Sequence, residues 1–323
     1  MAYNPAFRWF WISLFSALCL GLGIIMAIGT PPLEELLLQN IPLKKRGLVS
    51  ALRAFGGGLS GLVGSFLALW LFHQWTTPLN YHIRFMIGAI VMTGGILMLL
   101  PFRDHASRYG HAERPASFHA DMLRLLNNFN FRILLVFYML LAATLGLAPL
   151  MLTYGKDYLG MEGMVDYFTA AWFIGSMIVG LTIPLLADRF GFKLMGIINA
   201  ALLMLAFLCP IIAGRHEAVL LCGYMLFRGC CVLTYFLLPN LGSEMAPDIR
   251  PATIFAVGTI LSLPLAIATA LLSGMLADLL GQGGYIGAFM IGVTFSLCAI
   301  IGFTVIIREP RTGQDLFIRM RRM

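Results

Sequence analysis

Nine stretches of about twenty residues, each apolar with no charge or a single one, limit what this chain can fold into. They lie near residues 9–29, 48–72, 85–101, 133–153, 167–187, 194–213, 217–238, 252–277 and 284–307. A helix of that length crosses a bilayer core about 30 Å thick. In hydrocarbon every backbone N–H and C=O must bond inside the protein, which predicts helices; barrel strands would alternate apolar and polar residues, and these stretches do not. The 323-residue chain is 59% hydrophobic and 11% charged, with a mean hydropathy of +0.86, too few charges to cover a soluble domain. The expected fold class is all-α, a polytopic membrane helix bundle.

The formal net charge of +7 is distributed as membrane topology rather than as a nucleic-acid patch. Sixteen Lys and Arg follow the first, third, fifth, seventh and ninth stretches, against four on the other side. Positive charge marks the cytoplasmic face, so the C-terminus is expected in the cytoplasm and the N-terminus outside, in a multi-pass protein of the cell (inner) membrane. The expected surroundings are a lipid bilayer, with no nucleic acid. Cys19, Cys209, Cys222, Cys230, Cys231 and Cys298 all fall in the apolar stretches without metal-ligand spacing, and read as small packing residues. His105, His111 and His119 stand six and eight residues apart in the longest hydrophilic segment and read as solvated. No metal and no cofactor is expected. Only Arg8 precedes the first stretch, which is long enough to span, so no cleavable signal peptide is expected.

Between the fifth and sixth stretches runs Pro184-Leu-Leu-Ala-Asp188-Arg189-Phe-Gly191-Phe-Lys193. The turn is tight, and Gly191 can supply the positive φ such a turn requires. Its D-R-x-G-x-K core resembles the signature loop of the major facilitator superfamily (MFS) of secondary transporters, with Pro184 in place of the leading Gly and Phe192 in place of an Arg. In that family the loop follows the second helix, with a degraded copy after the eighth, and these departures suit the copy. Gln39-Asn-Ile-Pro42-Leu-Lys-Lys-Arg46-Gly47 and Glu244-Met-Ala-Pro247-Asp-Ile-Arg250-Pro251 echo each other, and resemble the family's E-x-x-P-x-x-x-R-G step after helices four and ten.

The resemblance implies two parallel six-helix halves, of which this chain holds the last nine helices and lacks the first three. Residues 1–101 would be a partial N-terminal half of three helices, 102–130 the central cytoplasmic loop, 131–307 the six-helix C-terminal half and 308–323 a basic cytoplasmic tail. It implies no enzyme, but transport of an unidentified small solute by alternating access, as symporter, antiporter or uniporter, with a proton or sodium as coupling ion where one is used. The alternative is a truncated, non-transporting membrane protein or an accessory subunit.

The same resemblance assigns Asp188, Arg189, Gly191, Lys193, Glu244 and Arg250 to a cytoplasmic gate. Asp188 would sit at the N-terminus of the helix beginning at Ala252, where a carboxylate gains from the helix dipole. Arg189 would reach Glu244. In the first half Gln39, a neutral residue, matches Glu244.

Arg228 lies in the middle of the stretch after Glu217, where a cation costs about 3 kcal/mol or more without a partner. Tyr224, Arg228, Cys231 and Tyr235 recur at i, i+4, i+7 and i+11, so one helix face is polar, and this face is expected to line the central pathway. Arg228 would either attract an anionic group of substrate, pair with an acidic coupling residue or bond backbone carbonyls; no acidic partner is evident at its depth. Arg53, near the start of its helix, is expected to snorkel.

Gly56-Gly-Gly58-Leu-Ser-Gly61 matches a dinucleotide fingerprint by letter, but no strand precedes it. Gly57, Gly61 and Gly64 instead read as a small-residue face for tight helix packing. Gly58-Leu-Ser60-Gly61 resembles the G-x-S-G of rhomboid proteases, but every histidine lies in a loop or at a helix end. Prolines 149, 184, 210, 239 and 264 are expected to kink or interrupt helices.

Overall fold

The computed structural model describes residues 5–74, 79–98, 118–161, 165–212, 216–308 and 310. The described chain is helical throughout: α1 (Pro5–Asn40), α2 (Arg46–Gln74), α3 (Leu79–Leu97), α4 (Phe118–Asn127), α5 (Phe129–Thr144), α6 (Ala148–Leu159), α7 (Val165–Phe190), α8 (Phe192–Ile212), α9 (Glu217–Met245), α10 (Pro251–Leu280) and α11 (Gln282–Ile301). Among the described residues, eight spans are long and apolar enough to cross a membrane, and a shorter apolar helix, Phe85–Gly95, occupies the third expected stretch. The all-α membrane bundle is thus the observed fold.

Three boundaries differ from the sequence expectation. First, α1 continues well beyond residue 29 and through Pro31 and Pro32, about 54 Å at 1.5 Å per residue. Second, the span Phe129–Leu159 is divided by a 3-10 turn at Leu145–Leu147, with Pro149 in the first turn of α6. Proline is tolerated there because first-turn N–H groups have no partner within the helix. Third, part of the expected loop 102–130 is helical. Residues 118–127 form the amphipathic α4, which carries His119, while His105 and His111 lie outside the described residues. The expected tail 308–323 also lies outside them, apart from residues 308 and 310.

α7 sits between two neighbours, with α2 along one side and α9 along the other. α8 packs on α9, α11 on α8, α10 against α5 and α11, and α1 on α10. Phe131, Phe192, Phe207, Phe227, Phe289 and Phe303 are fully buried among these helices. The outward faces of α1 and α3 present Phe15, Ile24, Ile28, Phe85, Met86 and Val91.

Glycine sets the approach of α7 to both neighbours. A Cβ on Gly61 would run into the Phe173 ring, and one on Gly58 into the Met177 side chain, with the Phe173 carbonyl oxygen 3.0 Å away. On the other side, a Cβ on Gly229 would stand 2.5 Å from that of Val179, and one on Gly175 would strike the Met225 carbonyl. The small-residue face of α2 is therefore Gly58 and Gly61. Gly57 and Gly64, expected to share it, have nothing within 4 Å. A Gly58→Ala substitution is expected to lower thermal stability in detergent by about 1–3 kcal/mol through overpacking. Gly57→Ala should leave it unchanged or raise it by up to about 1 kcal/mol through helix propensity; equal effects at the two positions would contradict this packing.

Candidate functional site

The polar centre of the molecule is a carboxylate carried deep into the bundle by α1. Glu34 is 2% exposed, one helical turn before the equally buried Leu38. Its oxygens accept from both terminal nitrogens of Arg53 on α2, at 2.7 and 3.2 Å, and Oε1 also accepts from the Tyr235 hydroxyl of α9 at 3.0 Å. The Arg53 guanidinium lies 5.2 Å from the Phe236 ring centre, and Tyr235 packs edge-on to Phe255 of α10. One carboxylate thus gathers donors from α2 and α9, in a setting walled by aromatic rings. A two-pronged guanidinium–carboxylate pair of this kind satisfies charge and geometry together.

This corrects two expectations. Arg53 does not snorkel towards solvent, since its charge is met by Glu34. An acidic residue does stand within the apolar helices, but it pairs with Arg53. The first stretch was expected near residues 9–29, whereas α1 runs on through Pro31 and Pro32 and delivers Glu34 inward. The signal that could have found it was Arg53 itself, a cation inside an apolar helix that requires an opposite charge.

Tyr235 and Arg228 are seven residues apart on one face of α9, about 10.5 Å along its axis. Tyr235 reaches Glu34 of α1, while nearer the start of α9 the same face meets α7. The Arg228 guanidinium carbon lies 3.4 Å from the ring centre of Trp172 on α7. Its Nε is buried and makes no hydrogen bond, and no described carboxylate forms an ion pair with it. Tyr224, one turn earlier, is buried edge-on against Phe168, 5.1 Å between ring centres.

The Asp188 loop takes a different position from the one expected. Gly191, at φ +96°, reverses the chain between α7 and α8 as its residue type suggested. Asp188 accepts from the backbone N–H groups of Gly47 at 2.7 Å and Leu48 at 2.8 Å, in the first turn of α2. It therefore meets the N-terminus of α2, not that of the helix beginning at Ala252. The reason is packing: α7 runs along α2, so the end of one lies beside the start of the other. A carboxylate there binds N–H groups without helical partners and the positive end of the helix dipole. Gly47 permits the approach, since a Cβ would strike the Pro184 carbonyl and stand 2.8 Å from the Asp188 carboxyl carbon.

The remaining gate candidates are dispersed. Arg189 is exposed, with its guanidinium carbon 5.2 Å from the Phe190 ring centre. Lys193 is 2% exposed, and its Nζ donates to the Thr304 carbonyl at 3.3 Å, in the π-helical turn Gly302–Ile306. A cation near a helix C-terminus is favourable. Glu244 is half-buried in the last turn of α9, and Arg250 is the residue before α10, with no capping hydrogen bond from its side chain. The side chain of Gln39 lies outside the described residues.

Glu34→Gln is expected to destabilise the folded protein by about 3–5 kcal/mol, because it leaves Arg53 with no counter-charge. The double variant Glu34→Gln/Arg53→Met should recover much of that loss, and a double-mutant cycle of unfolding free energies reads the coupling. Additive losses would show that the pair is not coupled.

A search of curated proteins found no match to the chain. The family model of the Major Facilitator Superfamily matches residues 2–269. That match runs through α1 to α9 and most of α10, and so takes in Glu34, Arg53, Asp188, Arg228 and Tyr235. With eight apolar spans among the described residues and these polar contacts between them, the chain is a multi-pass membrane protein that belongs to the Major Facilitator Superfamily of transporters.

Proposed function

We propose that this protein moves a small solute across the cell membrane by alternating access, with α1 and α2 on one side of the pathway and α7 to α10 on the other. The observation that carries the reading is the location of the polar contacts between these two sets. Asp188 meets Gly47 and Leu48 at the very start of α2. Tyr235 meets Glu34, whose partner Arg53 is seven residues into α2, about 10.5 Å from the same end. Both layers of contact are near one end of the helices, and the distribution of Lys and Arg supports that end as cytoplasmic.

Helices tied at one end can rock open there and close at the other, which is the movement that alternating access requires. In this reading Asp188 and the Glu34 cluster are outer and inner layers of one cytoplasmic gate, with Arg189, Gly191, Lys193, Glu244 and Arg250 around its rim. Tyr224, Arg228 and Tyr235 line the pathway. The solute's own gradient, or a coupled proton or sodium gradient, supplies the driving force.

Ser50, 5% exposed and one turn into α2, reports opening. In a background without other reactive cysteines, Ser50→Cys should be labelled slowly by N-ethylmaleimide. Adding Asp188→Asn removes the charge from two backbone hydrogen bonds, worth about 1–2 kcal/mol, and should raise the labelling rate about tenfold. Unchanged labelling would contradict the gate.

A further inference from the structure

We infer that the solute is a small organic anion, and that Arg228 binds its carboxylate or phosphate group. The inference rests on the transport reading above and narrows it to a substrate class. Arg46 and Lys193 are buried at the ends of described spans; of the two partly buried cations further inside, Arg53 is neutralised by Glu34 through two hydrogen bonds. Arg228 has no such partner: no described residue forms an ion pair or a hydrogen bond with it. The pathway face therefore retains one uncompensated positive charge in the middle of α9, about 16 Å from its Glu217 end. A cation at that depth is costly unless something anionic meets it.

The geometry also says how an anion would be held. Trp172 covers one flat face of the guanidinium at 3.4 Å. A ring face meets the cation without taking up its N–H groups, which are left for another acceptor. Nε is buried and unbonded, and the residue as a whole is half-buried, so part of the guanidinium remains open. A planar donor fork with accessible edges matches the two oxygens of a carboxylate or phosphate. Trp172, 39% exposed beside it, offers aromatic surface to the rest of the molecule. A lysine would carry the same charge without the fork, so Arg and Lys are not equivalent at this position.

The test uses the purified full chain in phosphatidylcholine nanodiscs and compares anions with neutral partners of the same shape: benzoate with benzamide, hexanoate with hexanamide, and phenyl phosphate with phenol. Thermal stability measured against ligand concentration should rise for at least one anion and not for its neutral partner. Arg228→Gln should weaken that anion's apparent affinity about thirtyfold or more, and Arg228→Lys by less. Failure of every anion to exceed its neutral partner, or an unchanged affinity in Arg228→Gln, overturns the assignment. The Ser50→Cys labelling measurement needs no ligand. A gate that opens with Asp188→Asn while no anion is selected retires the anion assignment alone, and a gate that does not open retires the transport reading.

Discussion

A charge inside a membrane bundle has to be answered by another charge, by an aromatic face or by a ligand, and much of this structure follows from how three charges are answered. Glu34 is fully enclosed, so Arg53 and Tyr235 must come to it. That requirement draws α2 and α9 towards α1 at a single level. Effective desolvation costs several kcal/mol per ion, so the pair contributes specificity of arrangement more than net stability. The Trp172 ring gives Arg228 only a partial answer, and the proposed anion site rests on that.

The second constraint is steric. α7 can serve both neighbours only because glycine faces it from each side, Gly58 and Gly61 from α2 and Gly229 from α9. Close approach of α2 along its length brings its first turn within reach of Asp188, and Gly47 removes the last obstacle there. Packing in the apolar middle thus fixes a polar contact at the end. The arrangement suits a hinge, because a contact of two hydrogen bonds at a helix terminus can break without disturbing the glycine-packed interface below it.

Much of this was legible in the sequence, and the failures have physical causes. Length and apolarity were enough for the spans, because the bilayer allows little else. Gly191 was readable from its turn. Glu34 was not, because two prolines signal a helix end in water, whereas here α1 continues through them. Arg53 was misread as a consequence, since its partner lies beyond the first expected stretch, 9–29. The Asp188 contact was misplaced because it depends on which helix lies beside α7, and no local pattern encodes that. The choice of Gly58 over Gly57 turns on helix rotation, which a run of three glycines leaves undetermined.

The central claim is that the contacts at Asp188 and Glu34 hold closed an end of the molecule that opens. Spin labels at Lys45→Cys, just before α2, and Leu186→Cys, near the end of α7, bracket that end on exposed positions. Electron–electron double resonance on the full chain in nanodiscs should give a short distance together with a longer, minor one, and Asp188→Asn should shift the population to the longer distance. A single short distance that persists in the variant would mean that the two sets of helices do not separate there, and would contradict the account.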